Sequence, residues 1–312
     1  MDIKKYLTNK RYVILIAVFC SILWGSAFPV LKISYSELSM VPSDMSAKIV
    51  LAGIRFLGAS IILFLLVLLG MKQSLKIQKN HVLKLLVLGL LQTTLQYLFF
   101  YNGLQYTSGM KGAILNSIGN FFVVILAHFI YNDDKINGAK IIGLITGFGG
   151  IVLVNWGKSL TLDFTFRGEG FLIISAIFSS IGIFVAKDLS KTIHPFLVTA
   201  WQMFLGSIVL LIFGLPKLGA GAIKFTPMGW TLTLYSAVLS AVAYALWYAL
   251  LKYNKAGEIT LYKFVTPLSG AILSTIFIPE EKFTIYIFFA LALVSAGIIA
   301  INYNPYRSKK TR

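Results

Sequence analysis

The chain has 312 residues, of which 57% are hydrophobic and 12% charged, with a mean hydropathy of +0.81. That is too little polar surface to cover a water-soluble globule of this length, so the chain belongs in lipid. A formal charge of +17 would suggest nucleic acid in a soluble protein; here it reads as a membrane orientation signal, and no nucleic-acid partner is expected.

A membrane helix needs about 20 mostly apolar residues to cross roughly 30 Å of hydrocarbon. Such runs predict ten spans, over 12–34, 47–70, 81–103, 109–131, 138–156, 169–188, 195–215, 228–251, 258–278 and 284–303. The alternation of a membrane β-barrel is missing, so the fold class is all-α integral membrane. The one cysteine, Cys20, lies inside the first run, which excludes an intrachain disulfide and a cysteine metal cluster. The first run is long enough to span and ends in no clear small-residue cleavage site, so a cleaved signal peptide is not expected.

Ten spans place both termini on one side. Eighteen of the 28 Lys and Arg fall on that side, among them Lys4, Lys10, Arg11, Lys72, Lys84, Lys135, Lys252 and Arg307. The other side receives eight, including Lys32, Lys48, Lys158 and Lys282, while Arg55 and Lys263 stay inside spans. By the positive-inside rule both termini are cytoplasmic; with no targeting segment evident, the expected location is an inner (plasma) membrane.

The spacing of Tyr101, Leu104, Tyr106, Asp133-Asp134-Lys135, Gly150 and Asn155 returns 147 positions later as Tyr248, Leu251, Tyr253, Glu280-Glu281-Lys282, Gly297 and Asn302. The halves, 1–157 and 158–312, each hold five spans. Five is odd, so the halves insert in opposite orientations, the inverted repeat of many secondary transporters, whose substrate cavity lies between the repeats near the bilayer midplane. Gly143, Gly147 and Gly150 carry the small-residue spacing that lets helix backbones approach. Pro29 and Pro267 lie well inside the first and ninth spans, where proline frees a carbonyl and bends the helix; each is a hinge or gating candidate or a packing kink.

The segment Trp24-Gly25-Ser26, Phe28-Pro29 and Lys32, together with Arg55, the Asp133-Asp134-Lys135 and Glu280-Glu281-Lys282 turns and the Gly143 to Gly150 run, resembles the drug/metabolite transporter superfamily, in its ten-helix EamA-type branch. The resemblance spans essentially the whole chain. It departs at Asn120, where the family usually has proline, although Pro267 occupies the mate position. The resemblance implies a basket in which spans one, three, four, six, eight and nine surround a central cavity, with five and ten peripheral. It also implies transport of small organic metabolites, commonly export of amino acids.

Residues four apart share a helix face, which pairs Gln92 with Gln96, Asn116 with Asn120 and Trp24 with Phe28. Amides facing lipid would be left unpaired, so these face inward, either as substrate contacts or as hydrogen bonds between helices. Tyr97, Tyr101, Tyr244, Trp247 and Tyr248 form an aromatic set across spans three and eight, cavity wall or interfacial belt. Charges inside a membrane are costly enough to mark function. Arg55 is a functional charge or an anchor; Lys263, beside Tyr262, Thr266 and Pro267, is a substrate contact or a snorkelling lysine. Related phosphate and organic-anion carriers of the superfamily resemble this use of basic residues on cavity helices.

No Asp or Glu occupies the centre of any predicted span. The superfamily's proton-coupled multidrug pumps depend on such a carboxylate, so that mechanism is disfavoured, and proton coupling is not established. A positive interior suits zwitterions, neutral solutes or carboxylates. His81, His128 and His194 sit near span ends without acidic or metal-ligand partners in sequence, so neither an enzyme nor a metal or other cofactor is expected. The resulting expectation is a secondary carrier exporting small zwitterionic or anionic metabolites by alternating access, with small-molecule substrate and bilayer as its partners. A lipid or lipid-linked sugar flippase and an organic-anion or phosphate exchanger are the alternatives.

Overall fold

The computed structural model describes residues 3–41, 43–107, 109–156, 164–279 and 282–302. The predicted acidic turn at Glu280-Glu281 and the basic residues Lys158, Arg307, Lys309, Lys310 and Arg312 lie outside them. After a short helix, Ile3–Thr8, ten helical spans follow. They are α1 (Lys10–Glu37), α2 (Met45–Gly70), α3 (Lys79–Gln105), α4 (Gly109–Ile130), α5 (Gly138–Val154), α6 (Phe166–Thr192), α7 (Pro195–Gly214), α8 (Pro227–Tyr253), α9 (Ala256–Phe277) and α10 (Ile285–Asn302). Among the described residues, nine are long and apolar enough to cross a membrane, and α5, with 17 residues, is the tenth and shortest. The protein is an all-α, multi-pass membrane protein.

The span starts follow from local chemistry. Asn9 Oδ1 accepts from the Arg11 N–H at 3.0 Å, Asp44 Oδ1 from Ala47 N–H at 2.9 Å and Asn137 Oδ1 from Lys140 N–H at 3.0 Å, each satisfying a donor that the first helical turn leaves orphaned. Thr226 does the same for Gly229 ahead of Pro227, which needs no N–H partner at the first helical position. The sixth span runs four residues beyond its predicted end at 188. Its polar last turn is held by partners, Asp188 accepting from Lys84 on α3 at 2.8 Å.

Two spans are irregular in mid-course, besides the π turns that end α2 and begin α6. In α3 the stretch Leu90–Leu95 is a wide π turn, and in α9 the α-helix stops at Thr260, passes through a tight 3-10 turn over Leu261–Phe264 and resumes at Val265. Non-helical backbone at this depth survives only where protein or a cavity shelters it.

Helix pairs cross between the halves: α2 packs on α7, α5 on α10, and α1 on both α8 and α9. Backbones come into close contact where α1 meets α9. A Cβ on Gly25 would lie 2.7 Å from the Thr266 carbonyl oxygen and 2.8 Å from the Gly270 nitrogen, so only glycine fits. On α5 the Phe264 ring fills the notch above Gly147, where a Cβ would stand 2.2 Å from the ring. In lipid, where burial gives no hydrophobic gain, such van der Waals fit is what holds helices together. The pair α5 and α10 sits to one side of the bundle.

Lys10 Nζ donates to the Asn302 carbonyl, so the start of α1 and the end of α10 share one face, called here the terminal face. Asp133 and Asp134 follow α4 on this face. Lys140 Nζ meets Asp134 Oδ1 at 2.5 Å and also donates to the Asp134 and Lys135 carbonyls, while Asp134 Oδ2 accepts from the Gly257 N–H at 2.8 Å. Both charged side chains are almost wholly buried, which is tolerable only because each Lys140 proton and each Asp134 carboxylate oxygen finds a partner.

Candidate functional site

Between α1, α2, α3, α4, α6, α8 and α9 lies a central cavity of about 190 Å³. Six of these spans are those implied by the resemblance, and α2 joins them through Arg55. The cavity lies in the half of the bundle away from the terminal face, with Leu31, Tyr101 and Ala113 near its mouth and Phe28 and Asn116 exposed along it. Below it the bundle is closed by Ala17, Cys20, Ser21, Ala127 and Trp247, each at most 1% exposed.

Two cations face this space. Arg55 Nη2 donates to the Tyr97 hydroxyl at 3.3 Å, and its guanidinium lies over the Phe56 and Tyr97 rings at 4.4 and 5.5 Å. Lys263 Nζ sits between two indoles, 5.1 Å from the Trp24 ring centre and 5.0 Å from that of Trp247. Aromatic faces attract a cation but leave its hydrogen bonds unmade. No Asp or Glu is among the residues lining the cavity. Among the described residues, four side chains of the lining, Arg55 included, have a buried polar atom without a partner: Trp24 Nε1, Arg55 Nε, Gln96 Oε1 and Thr266 Oγ1. Buried polar atoms in proteins are nearly always paired, so a cluster of orphans around one cavity marks where something else binds.

Of the sequence candidates, Trp24, Arg55, Gln96, Tyr97, Tyr101, Asn116, Asn120, Tyr244, Lys263 and Pro267 come together here. The rings of Trp24 and Tyr244 meet edge to face at 5.3 Å, and Tyr97 and Tyr244, at equivalent repeat positions, hydrogen-bond through their side chains. The other candidates lie elsewhere. Gln92, inside the π turn of α3, is not among the residues lining the cavity. Its amide instead donates to the Ser179 carbonyl at 2.7 Å, beside Gly182 of α6. Trp247 lies beneath the cavity, as one wall of the lysine sandwich. Tyr248 is buried with its hydroxyl donating to Gln202 Oε1 at 2.7 Å, and Gln202 Nε2 in turn donates to Thr93 Oγ1 at 2.8 Å, a tie between α8, α7 and α3. Tyr262 lines a different cavity, at the terminal face, and hydrogen-bonds Asn302.

Pro29 is buried in α1, which runs over it without interruption. The carbonyl it deprives of a donor belongs to Gly25, at the closest approach to Gly270 of α9. Pro267 likewise deprives the carbonyl of Lys263, directly after the 3-10 turn. Both freed carbonyls are thus on facing helices, close to Trp24 and Lys263.

Sequence reasoning missed the lining serines Ser117, Ser179, Ser180 and Ser240. Ser117, Ser180 and Ser240 return hydrogen bonds to carbonyls of their own helices, so nothing in their spacing distinguishes them from packing residues. The histidines are all engaged at the terminal face: His81 with Thr192, His128 accepting from the Ile136 N–H, and His194 capping Phe196. Among the described residues, His, Cys, Asp and Glu nowhere gather in threes as a metal site requires.

The profile of the EamA-like transporter family matches this chain twice, over residues 11–156 and 166–303. The chain belongs to that family. Curated relatives of this EamA-like protein are themselves named as uncharacterized transporters. YoaV of Bacillus subtilis is 22% identical, the match covering 93% of this chain and 96% of its own length. YvbV of the same organism is 26% identical over 96% of this chain and 93% of its own. A transporter of Archaeoglobus fulgidus is 30% identical over 83% of this chain and 86% of its own. A solved crystal structure superposes with a TM-score of 0.79 at 15% identity, over 97% of this chain and 100% of the other, which establishes the fold. This EamA-like protein is a membrane transporter.

Proposed function

We propose that this transporter carries small anionic or zwitterionic organic metabolites, amino acids and organic acids among them, through the central cavity by alternating access. The observation that carries this reading is the pairing of Arg55 and Lys263 in one cavity whose lining holds no carboxylate. Two charges removed from water without counter-ions are expensive, and a bound carboxylate or phosphate would relieve both that cost and the orphaned donors of Trp24 and Arg55. A cation would be repelled. Size narrows the class: about 190 Å³ falls below the roughly 300–1,000 Å³ of pockets that take drug-sized ligands.

The halves 1–157 and 158–312 are the two rocking bodies of this mechanism, and the terminal face is cytoplasmic in a plasma membrane. Transport is outward in the cell, the physiological direction the resemblance suggests. Gln96, Asn116, Asn120, Tyr97, Tyr101 and Tyr244 orient the substrate, and Trp24 and Lys263 hold its acidic group. Counterflow in liposomes tests the reading, with labelled amino acids, organic acids and phosphorylated metabolites offered with and without a pH gradient. Saturable exchange of one anionic or zwitterionic class is the expected result; exchange only of cations, or none across the panel, would overturn it and turn attention to lipid-linked substrates.

A further inference from the structure

A second cavity, of about 520 Å³, opens at the terminal face and is larger than the central one. Four lysines line it, Lys10, Lys187, Lys252 and Lys255, against three acids; of the acids, Asp134 is already matched by Lys140 from outside the lining, and Glu258 pairs with Lys255 at 3.8 Å. Lys187 is fixed by donating to the Leu251 and Asn254 carbonyls at the end of α8, with its amine 5.5 Å from the Tyr131 ring centre. With Asp134 matched from outside, lysines outnumber the remaining acids in the lining, a balance that favours anionic solutes.

The wall between the two cavities is of uneven thickness. On α1 it spans Ala17, Cys20 and Ser21, and on α4 it is the stretch from Val123 to Tyr131, about two turns. On α9 it has no thickness in sequence at all: Tyr262 lines the terminal cavity and its neighbour Lys263 the central one. This is the 3-10 turn, followed by the proline that leaves the Lys263 carbonyl without its helical donor. The turn is held shut from outside the helix. The Tyr262 hydroxyl meets Asn302 Oδ1 at 3.0 Å and Asn302 Nδ2 at 2.7 Å, and the Tyr262 carbonyl accepts from Ser21 Oγ at 3.0 Å. Asn302 is anchored in its turn by Ile298 and by Lys10.

We propose that the terminal-face cavity is the inner vestibule of the transport route, a receiving site for small organic anions, and that the Tyr262–Asn302 pair is the latch closing it from the central cavity. The proposal rests on the reading of the central cavity as the transport site. Breaking the pair lets the 3-10 turn swing and joins the two spaces past Lys263, so one cation serves substrate arriving from either face.

The chain supplies its own reporter. Cys20, the sole thiol, is fully buried in the wall between the cavities. Full-length protein in membrane vesicles of both orientations is exposed to a membrane-impermeant maleimide, with Cys20→Ser as the blank. Tyr262→Phe, which keeps the ring, and Asn302→Ala should each raise Cys20 labelling from the terminal face about tenfold, the shift in an opening equilibrium expected from losing one hydrogen bond. Wild-type labelling rates in variants that insert normally and run as single species on gel filtration would overturn the latch. Anion counterflow on the same variants separates the two readings. Raised labelling without anion exchange keeps the latch and removes the substrate class, whereas anion exchange with unmoved labelling removes the latch alone.

Discussion

The fourth and ninth spans occupy equivalent places in the two repeats and have diverged at the residues that matter most. Moving 147 positions from α4 to α9 exchanges Leu115 for Tyr262, Asn116 for Lys263 and Asn120 for Pro267. The α4 helix is unbroken from Gly109 to Ile130 and presents two neutral amides, whereas α9 is interrupted and presents a cation beside a proline. The ends of the repeats differ in the same sense. Asn155 closes α5 by donating to its own Ile151 carbonyl, while its mate Asn302 reaches across to Tyr262. An inverted pair made of identical units would present the same cavity to both faces. Here α4 supplies an unbroken wall and α9 supplies Lys263 on an interrupted turn, while the other cation, Arg55, comes from the first repeat.

The largest expected effect comes from erasing the charge difference. Lys263→Asn copies the α4 residue into α9 and should raise the substrate KM in counterflow by about 10- to 100-fold, the loss of a charge-assisted hydrogen bond worth roughly 1.5–3 kcal/mol. Adding Asn116→Lys to that variant asks whether the two positions are interchangeable; partial recovery would show that the asymmetry is one of history, and no recovery that the broken turn is needed to present the amine.

A structural effect is expected at Gly147, which faces the start of the resumed α9 helix. Gly147→Ala puts a methyl group into the Phe264 ring and should destabilise the protein by about 1–3 kcal/mol, read as a lower midpoint of thermal unfolding in detergent. Unchanged stability would show that α9 is free to shift here, against the close fit described.

A smaller change is expected from Pro267→Ala. It returns a donor to the Lys263 carbonyl and makes α9 more like α4, so turnover should fall about fivefold with KM unchanged, the effect of about 1 kcal/mol placed on opening. A matched loss of affinity would assign the proline to substrate positioning.

The smallest effect concerns the caps of α2 and α7. Asp44 begins one and His194 the other, each accepting from a backbone N–H. Burial, aided by Lys252, holds His194 below its ordinary value of 6.5, so the neutral imidazole is the folded form. The unfolded chain therefore binds the proton more readily, and this contribution to stability is present above pH 6.5 and is lost as pH falls through the lower folded value. His194→Asp should flatten thermal stability across that range by a few tenths of a kcal/mol up to about 1 kcal/mol; an unchanged pH slope would place the dependence elsewhere.

The ten spans were legible because lipid leaves the backbone almost no alternative to long apolar helices, and Asn9, Asp44, Asn137 and Pro227 mark several starts in plain chemical terms. The repeat was legible in spacing. Placement around the cavity was legible in part: Asn116 and Asn120 both reach it, as four-residue spacing allows, while of Gln92 and Gln96 only Gln96 does. No residue in Leu90 to Leu95 announces a π turn, and the Ser179 carbonyl that takes the Gln92 amide lies 87 residues away in the chain. Trp247, Tyr248 and Tyr262 show the other limit. Aromatic residues deep in a span face inward, but whether inward means the cavity, a neighbouring amide such as Gln202, or the opposite side of a seal depends on helix contacts between distant parts of the chain.

The buried Asp134–Lys140 pair bears on how the chain is made. Both residues belong to the first half, yet the pair is completed by the backbone N–H of Gly257, which leaves the ribosome more than a hundred residues later. Until then Asp134 lacks one of its partners, and α1 and α2 lack α9 and α7. The first half therefore enters the bilayer unfinished. The carboxylate of Asp134 gains its last partner only when the second half arrives, so this corner of the bundle is completed late in synthesis.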